Sequence, residues 1–516
     1  MRFKDAARKA YQSLRIGVVS LTVFQFSLGP LAPPVEAHAH HHGDTASPIK
    51  HVIVLIGENR TFDHLFATYV PKHGESVSNL LSKGIINADG TPGPHFSRSQ
   101  QFYAVAPYRT KHFISLDRHE KAPYQTLPEP TLNFSPNGST PPPFPSVKPQ
   151  ALLAAIEPSL ETGDLQLLLT GASGATNTFF LPDPDIRIQD YNALPNGPFP
   201  LKGGNLPYDS YTGDTTHRLF EMWQQSDCSI RNATPQNPSG CLSDLYPFVI
   251  TNYTNILDTQ SDNPPEFNDN GGSNSMGFYN MGTGDVPVLK GLADEYAMSD
   301  NFHQAVMGGT GANHVMLGTG DAIFWSDGNG HPATPPSYVA DPDPQPGTDN
   351  IYTVDLGFDG NFTECANLNQ PGIKPIRDYL ETLPYHPNPN CEKNHYYMVN
   401  NNNPGFLPDG TVDTAGIAKG GSIPSSSLRT IGEALTEKGI TWVYYGGAYS
   451  AAVNLQHNPT TTDPTVLVGA AYCNICNFES YVTNIMGDTA QRAAHIKDAT
   501  DFFAAIDNET CRKSPS

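Results

Sequence analysis

The chain has 516 residues, 38% of them hydrophobic, with 47 prolines, 45 glycines and a formal net charge of -21. A mean hydropathy of -0.39 allows a packed interior wrapped in extensive loops, and one large α/β domain with surface insertions would hold the whole length. The acidic balance argues against nucleic acid or an anionic membrane surface as a general electrostatic partner, but leaves a phosphate substrate open, because a bound metal ion dominates its local field.

Residues 1–37 carry Arg2, Lys4, Arg8, Lys9 and Arg15, then the apolar stretch Ile16 to Leu28, then Val35-Glu36-Ala37. This pattern predicts a Sec-type signal peptide cleaved after Ala37, and so a periplasmic or secreted protein. The apolar stretch is shorter than the ~20 residues a spanning helix needs, so no integral membrane segment is expected after cleavage. The run His38-Ala39-His40-His41-His42 falls in a linker over 38–47, read as a mobile spacer in preference to a copper or nickel site.

Val52 to Ile56 is short, β-branched and lacks alternation, which predicts a parallel strand buried on both faces, and Thr61 to Phe66 reads as the first turn of a helix. Glu58 and Asn59 would then stand at the carboxyl end of that strand, where open α/β sheets bind ligands. A plain turn with a solvated carboxylate is the competing reading. A loop-rich excursion follows over about 72–205, interrupted by one helix around Gln150 to Ala155.

Thr215 to Gln225 is predicted helical, with Leu219, Phe220 and Trp223 on the apolar face, Asp214 and Thr215 as caps and His217 in the first turn. A second helix is predicted from Pro287 to Ser299, with Val288, Leu289, Leu292 and Tyr296 on one face. It leads to Gly308-Gly309-Thr310-Gly311-Ala312-Asn313-His314, a glycine-flanked threonine at a helix start. Unpaired backbone N–H groups and the helix dipole stabilise an anion there, although glycines making a tight turn and Thr310 acting as a simple cap would give the same pattern.

Leu428 to Tyr445 reads as one αβ step, in which Ile431, Ala434 and Leu435 form a helical face, Gly439 ends the helix and Ile440 to Tyr445 is a strand. A last helix is predicted through Ala499, Phe502, Phe503 and Ile506, before a polar tail over 508–516. In an oxidising compartment the seven cysteines suggest the local pairs Cys228 with Cys241 and Cys365 with Cys391, with Cys473 and Cys476 as a loop disulfide in preference to a metal or redox dithiol. Spacing alone does not fix that connectivity.

His51-Val52-Ile53-Val54-Leu55 followed by Glu58-Asn59-Arg60-Thr61-Phe62-Asp63 is similar to the N-terminal signature of a bacterial phosphoesterase family. That family includes phosphatidylcholine-hydrolysing phospholipases C and respiratory-burst-inhibiting acid phosphatases, and belongs to the alkaline phosphatase superfamily. The Gly-Gly-Thr310 segment resembles the family's nucleophile segment, and Cys391 to Met398 continues the likeness. The resemblance runs over 48–507 and implies a three-layer α/β/α sandwich of the alkaline phosphatase type with the 72–205 insertion.

It further implies a divalent metal ion of unspecified identity held by Glu58, Asn59 and Thr310. Thr310 would be the nucleophile that forms a phosphothreonine, and His217 would protonate the leaving group. Asn313, His314 and His303 lie near the nucleophile in sequence; His395 and His457 are weaker candidates. The expected substrate is a phosphate mono- or diester, phospholipid headgroups included.

Full-length relatives supply further metal ligands from a C-terminal Asp-Glu/Asp, Gly-Gly and histidine segment that has no counterpart in this sequence. The expectation is therefore a fold incomplete at its C-terminal end, and the rival to an active enzyme is a catalytically inactive remnant or binding protein. A metal-free threonine carboxylesterase is disfavoured because no Gly-x-Ser-x-Gly element is present.

Overall fold

The computed structural model describes residues 52–57, 61–105, 114–128, 194–201, 217–252, 275–337, 339–340, 360–385, 387, 390–463, 466, 469 and 472–507. The signal peptide, the His-rich linker, the helix expected near Gln150, the ligand candidates Glu58 and Asn59, and the polar tail lie outside the described residues. Among those described, the architecture is mixed α/β, with helices set around small two-stranded sheets.

The helices are α1 (Phe62–Phe66), α2 (Leu219–Ser226), α3 (Tyr246–Asn252), α4 (Pro287–Glu295), α5 (Thr310–Thr319) and α6 (Ile373–Thr382). Further along come α7 (Thr414–Lys419), α8 (Ile431–Glu437), α9 (Tyr449–His457), α10 (Thr483–Met486), α11 (Thr489–His495) and α12 (Ala499–Asp507). Strand β1 (Phe102–Ala104) pairs antiparallel with β2 (Lys121–Pro123), and β5 (Phe362–Thr363) with β6 (Tyr397–Met398). Two pairs are parallel: β3 (Phe199–Pro200) with β4 (Gly277–Phe278), and β7 (Tyr444–Gly446) with β8 (Ile496–Asp498). A parallel pair needs a crossover, and the one joining β7 to β8 carries α9, α10 and α11.

Several sequence expectations hold. Thr430 and Glu433 form a reciprocal capping box at the start of α8, and Gly439, at φ +68°, takes the left-handed turn beyond its end. α12 lies where its apolar pattern placed it. The disulfides are Cys228–Cys241, Cys365–Cys391 and Cys473–Cys476.

Other expectations are corrected. Val52 to Ile56 is not a strand: no described segment pairs with it, and Ile53 and Leu55 are 55% and 42% exposed. Burial on both faces requires neighbouring strands and covering helices, which residue composition alone does not supply. His217 precedes α2 rather than sitting in its first turn, because Arg218 is the extended N-cap residue at φ -118° and ψ 157°. Tyr296 ends α4 in an extended conformation and is exposed, so it leaves the apolar face. The strand foreseen from Ile440 shrinks to Tyr444–Gly446. Before it, the Trp442 indole donates to Thr436 Oγ1 at 2.9 Å and its ring stacks on His495 with centroids 4.0 Å apart.

The packing that matters for the site surrounds α5. Ala312 and Val315 join Ile323, Trp325, Phe362, Met398, Ile423 and Tyr481 in one buried cluster. On another part of the helix, a Cβ at Gly318 would stand 2.2 Å from the Phe478 ring. Gly318→Ala should therefore cost about 1–3 kcal/mol in overpacking, against about 1 kcal/mol returned by alanine's helix preference. The expected result is a lower urea midpoint; a midpoint at or above wild type would mean that Phe478 moves aside freely.

Candidate functional site

Thr310 is the first helical residue of α5, a helix of 10 residues whose N-cap position belongs to Gly309. It is half-buried, and among the described residues neither its hydroxyl nor its N–H makes a hydrogen bond. Thr310 is thus not the cap. That work falls to the segment 399–401: Val399 O accepts from Gly309 N–H at 3.1 Å, Asn401 Oδ1 from Gly311 N–H at 2.9 Å, and Asn400 O from Ala312 N–H at 3.2 Å.

This close approach explains the paired glycines. A Cβ at Gly308 would lie 1.8 Å from Val399 O, and one at Gly309 would lie 2.6 Å from Asn401 Oδ1. The outcome is a helix start that presents an uncommitted hydroxyl and an uncommitted N–H, with the positive end of the helix dipole behind them. Such a place favours an oxyanion or a phosphate oxygen.

His217 approaches the same turn through the backbone. Leu219 N–H, two residues after His217, donates to Asn400 Oδ1 at 2.9 Å, so the entry to α2 and the entry to α5 are bonded to one residue. His217 itself is half-buried, and its carbonyl accepts from Arg218 Nη1 at 3.2 Å.

The remaining candidates separate. Asn313 is structural: its Oδ1 accepts from Val306 N–H at 2.9 Å, and its Nδ2 donates to the carbonyls of Val306, Gly308 and Gly309. His314 Nδ1 lies 2.9 Å from Thr310 O on the same helix. His303 is exposed, with Nε2 2.9 Å from Asn301 Oδ1. His395 packs edge-on against Phe324 at 4.4 Å, and His457 pairs with Asp409 at 3.2 Å; neither is bonded to the α5 start.

A group that sequence reasoning missed is Asp117, His119 and Glu120, whose potential ligand atoms all lie within 4.8 Å of one another, a spacing compatible with one divalent ion. The same carboxylates also have structural partners. Asp117 and Glu120 form a capping box around the turn Arg118–Glu120, and Arg231 pairs with Asp117. The fit to a metal is therefore partial: the donors are suitable, but an ion would compete with a guanidinium and a backbone cap. Also missed were Asn400 and Asn401, whose signal was the unbroken run Asn400-Asn401-Asn402-Asn403.

A strong electrostatic perturbation lies in the core just after the Asp117 group in the chain. Lys121 bonds both Asp227 and, at 2.6 Å, Asp244, and all three are buried. Burial pushes the Asp244 carboxyl up to about 7; repulsion from Asp227 adds to the rise, and the Lys121 hydrogen bond opposes it.

No helix among the described residues is long and apolar enough to cross a membrane. No curated protein and no solved structure matches the chain. Residues 231–510 match the family described as the Phosphoesterase family; Thr310, Asn313, Asn400 and Asn401 fall inside that match, whereas His217 and the Asp117 group fall outside it. With more than half of its residues in that match, the chain belongs to the Phosphoesterase family.

Proposed function

We propose that this protein is an exported, metal-dependent phosphoesterase of the acid phosphatase or phospholipase C type, with Thr310 as nucleophile and His217 as general acid. In this reading residues 48–507 form one domain on the α/β/α frame of the alkaline phosphatase superfamily. The observation that carries it is the uncommitted Thr310 hydroxyl at the start of α5, inside the family-matched segment. The Asn400 bond that ties the entry of α2 to the same turn supports the role given to His217.

The Thr310 oxygen, its proton released to solvent, attacks phosphorus, the bond from phosphorus to the departing alcohol oxygen breaks, and protonated His217 gives that oxygen a proton, which it regains from the water of the next step. Water then hydrolyses the phosphothreonine and restores the hydroxyl. The Thr310 N–H and the dipole of α5 favour the negative charge on the transferred group throughout. A divalent ion held by Glu58, Asn59 and Thr310 would supply Lewis-acid polarisation of the phosphoryl group and favour the ionised hydroxyl. The substrate class is a phosphate mono- or diester, phospholipid headgroups included.

The test is hydrolysis of p-nitrophenyl phosphate and p-nitrophenyl phosphorylcholine by the purified chain, with EDTA and then with individual divalent ions. Turnover lost to EDTA and restored by an added ion is expected, and the preferred substrate would separate phosphatase from phospholipase C. A folded protein inert with every ion would instead be an inactive remnant or a binding protein.

A further inference from the structure

Asn400 is fully buried and makes a directional hydrogen bond with each part of its amide. Its Oδ1 accepts from Leu219 N–H at 2.9 Å, while its Nδ2 donates to Gly360 O at 2.7 Å. A backbone N–H can only donate and a carbonyl oxygen can only accept, so these two partners fix which way the amide faces. The carbonyl of the same residue accepts from Ala312 N–H at 3.2 Å. Leu219 lies two residues beyond His217, and Ala312 two beyond Thr310. One side chain and its own backbone therefore join the two short segments that carry the nucleophile and the acid.

We propose that Asn400 is a positioning residue for phosphoryl transfer, setting His217 against Thr310 by holding the first turns of α2 and α5 in one register. This rests on the Thr310 and His217 assignment made above. Asn400 touches no reacting atom in this scheme; it acts through the two backbones.

The chemistry of the amide gives a selective test. An ionised aspartate at 400 still accepts from Leu219 N–H but turns an acceptor toward Gly360 O, whereas a protonated aspartate can donate there and restore both bonds. Leu219→Pro removes the N–H at the other end of the tether, and with it a leucine side chain that packs against the cluster around Phe220 and Ile373, so its thermal midpoint is read beside its kcat. Proline is tolerated at the first helical position, and the extended Arg218 before it suits a following proline.

The experiment measures kcat and KM for p-nitrophenyl phosphate from pH 4 to 8, with thermal midpoints at each pH. The proteins are wild type, Thr310→Ala, Asn400→Asp and Leu219→Pro, each loaded with the activating divalent ion. Asn400→Asp should lose roughly tenfold to a hundredfold in kcat near neutral pH with KM little changed, as expected for a misplacement of about 1 Å. The wild-type to Asn400→Asp ratio of kcat should then shrink as the pH falls and the aspartate gains a proton. Leu219→Pro should lose kcat with no such recovery, and it reads the tether even where Asn400→Asp fails to fold.

Wild-type kcat in a folded Asn400→Asp at neutral pH, a deficit ratio that does not change with pH, or wild-type kcat in Leu219→Pro would each overturn the assignment. If wild type turns over and Thr310→Ala does not, such a result removes Asn400 alone. If wild type is itself inert, the Thr310 reading falls and the role of Asn400 falls with it.

Discussion

Thr310→Ala is expected to lower phosphate-ester turnover by about a thousandfold or more, with KM of the residual activity little changed. In the proposed mechanism, removing the oxygen that would form the covalent intermediate leaves only direct attack by water, aided by whatever charge stabilisation the site retains. The stability of the fold should barely move. Thr310 is the first helical residue rather than the cap, its hydroxyl bonds nothing among the described residues, and alanine is a good helix former. Thr310→Ser should keep a measurable fraction of turnover, since it keeps the oxygen. The decisive measurement is single-turnover kinetics beside circular dichroism. A Thr310→Ala protein that is folded and still turns over at the wild-type rate would transfer the nucleophile to another residue.

Lys121→Met is expected to destabilise the protein by about 3–5 kcal/mol near neutral pH, because it strands two buried carboxylates around one lost ammonium. Lys121 bonds Asp227 and Asp244 at once, Asp227 also accepts from Leu116 N–H at 2.8 Å, and the ammonium lies 5.1 Å from the centre of the Phe102 ring. With Asp244 raised from 3.8 to about 7, the folded state holds its proton more tightly than the unfolded state does. That contribution to stability is full below about pH 4 and disappears as the pH rises through about 7. Loss of Lys121 removes the influence that opposes this rise, so the gap between wild type and variant should widen from pH 5 to pH 8. Urea unfolding at the two pH values measures it. An equal gap at both, or one below about 1 kcal/mol, would mean that the carboxylates find other partners.

What the sequence made legible was local. α5, α8 and α12 were placed by caps, glycines and apolar spacing, all of which act within a few residues. The disulfides join cysteines close along the chain, the pairing that the sequence favoured without fixing it. Thr310 was marked as special by its glycines, but their physical reason, room for the segment 399–401, is a contact across some ninety positions that no window reveals. The failure at Val52 to Ile56 has the same root: β-branched composition describes a residue that suits a sheet, while burial depends on what pairs beside it. Asn400 and its neighbours went unmarked at the level of sequence, and only the fold shows that the side-chain amides of Asn400, Asn401 and Asn402 each bond a different backbone group. Lys121 lies 106 positions from Asp227 and 123 from Asp244, so their joint burial was invisible.

The cap that Asn401 supplies to Gly311 has a consequence for how this family member can change over generations. At many helix starts one hydroxyl residue must both begin the helix and perform any chemistry asked of it, so a substitution is judged on both counts together. If Thr310 is the nucleophile proposed above, the two duties here fall to positions 310 and 401, some ninety residues apart. Position 310 would then be free to drift between hydroxyl-bearing residues under selection for reactivity alone, and position 401 would answer to selection for folding alone. A lineage that abandoned catalysis could lose the hydroxyl at 310 and still keep a well-started α5.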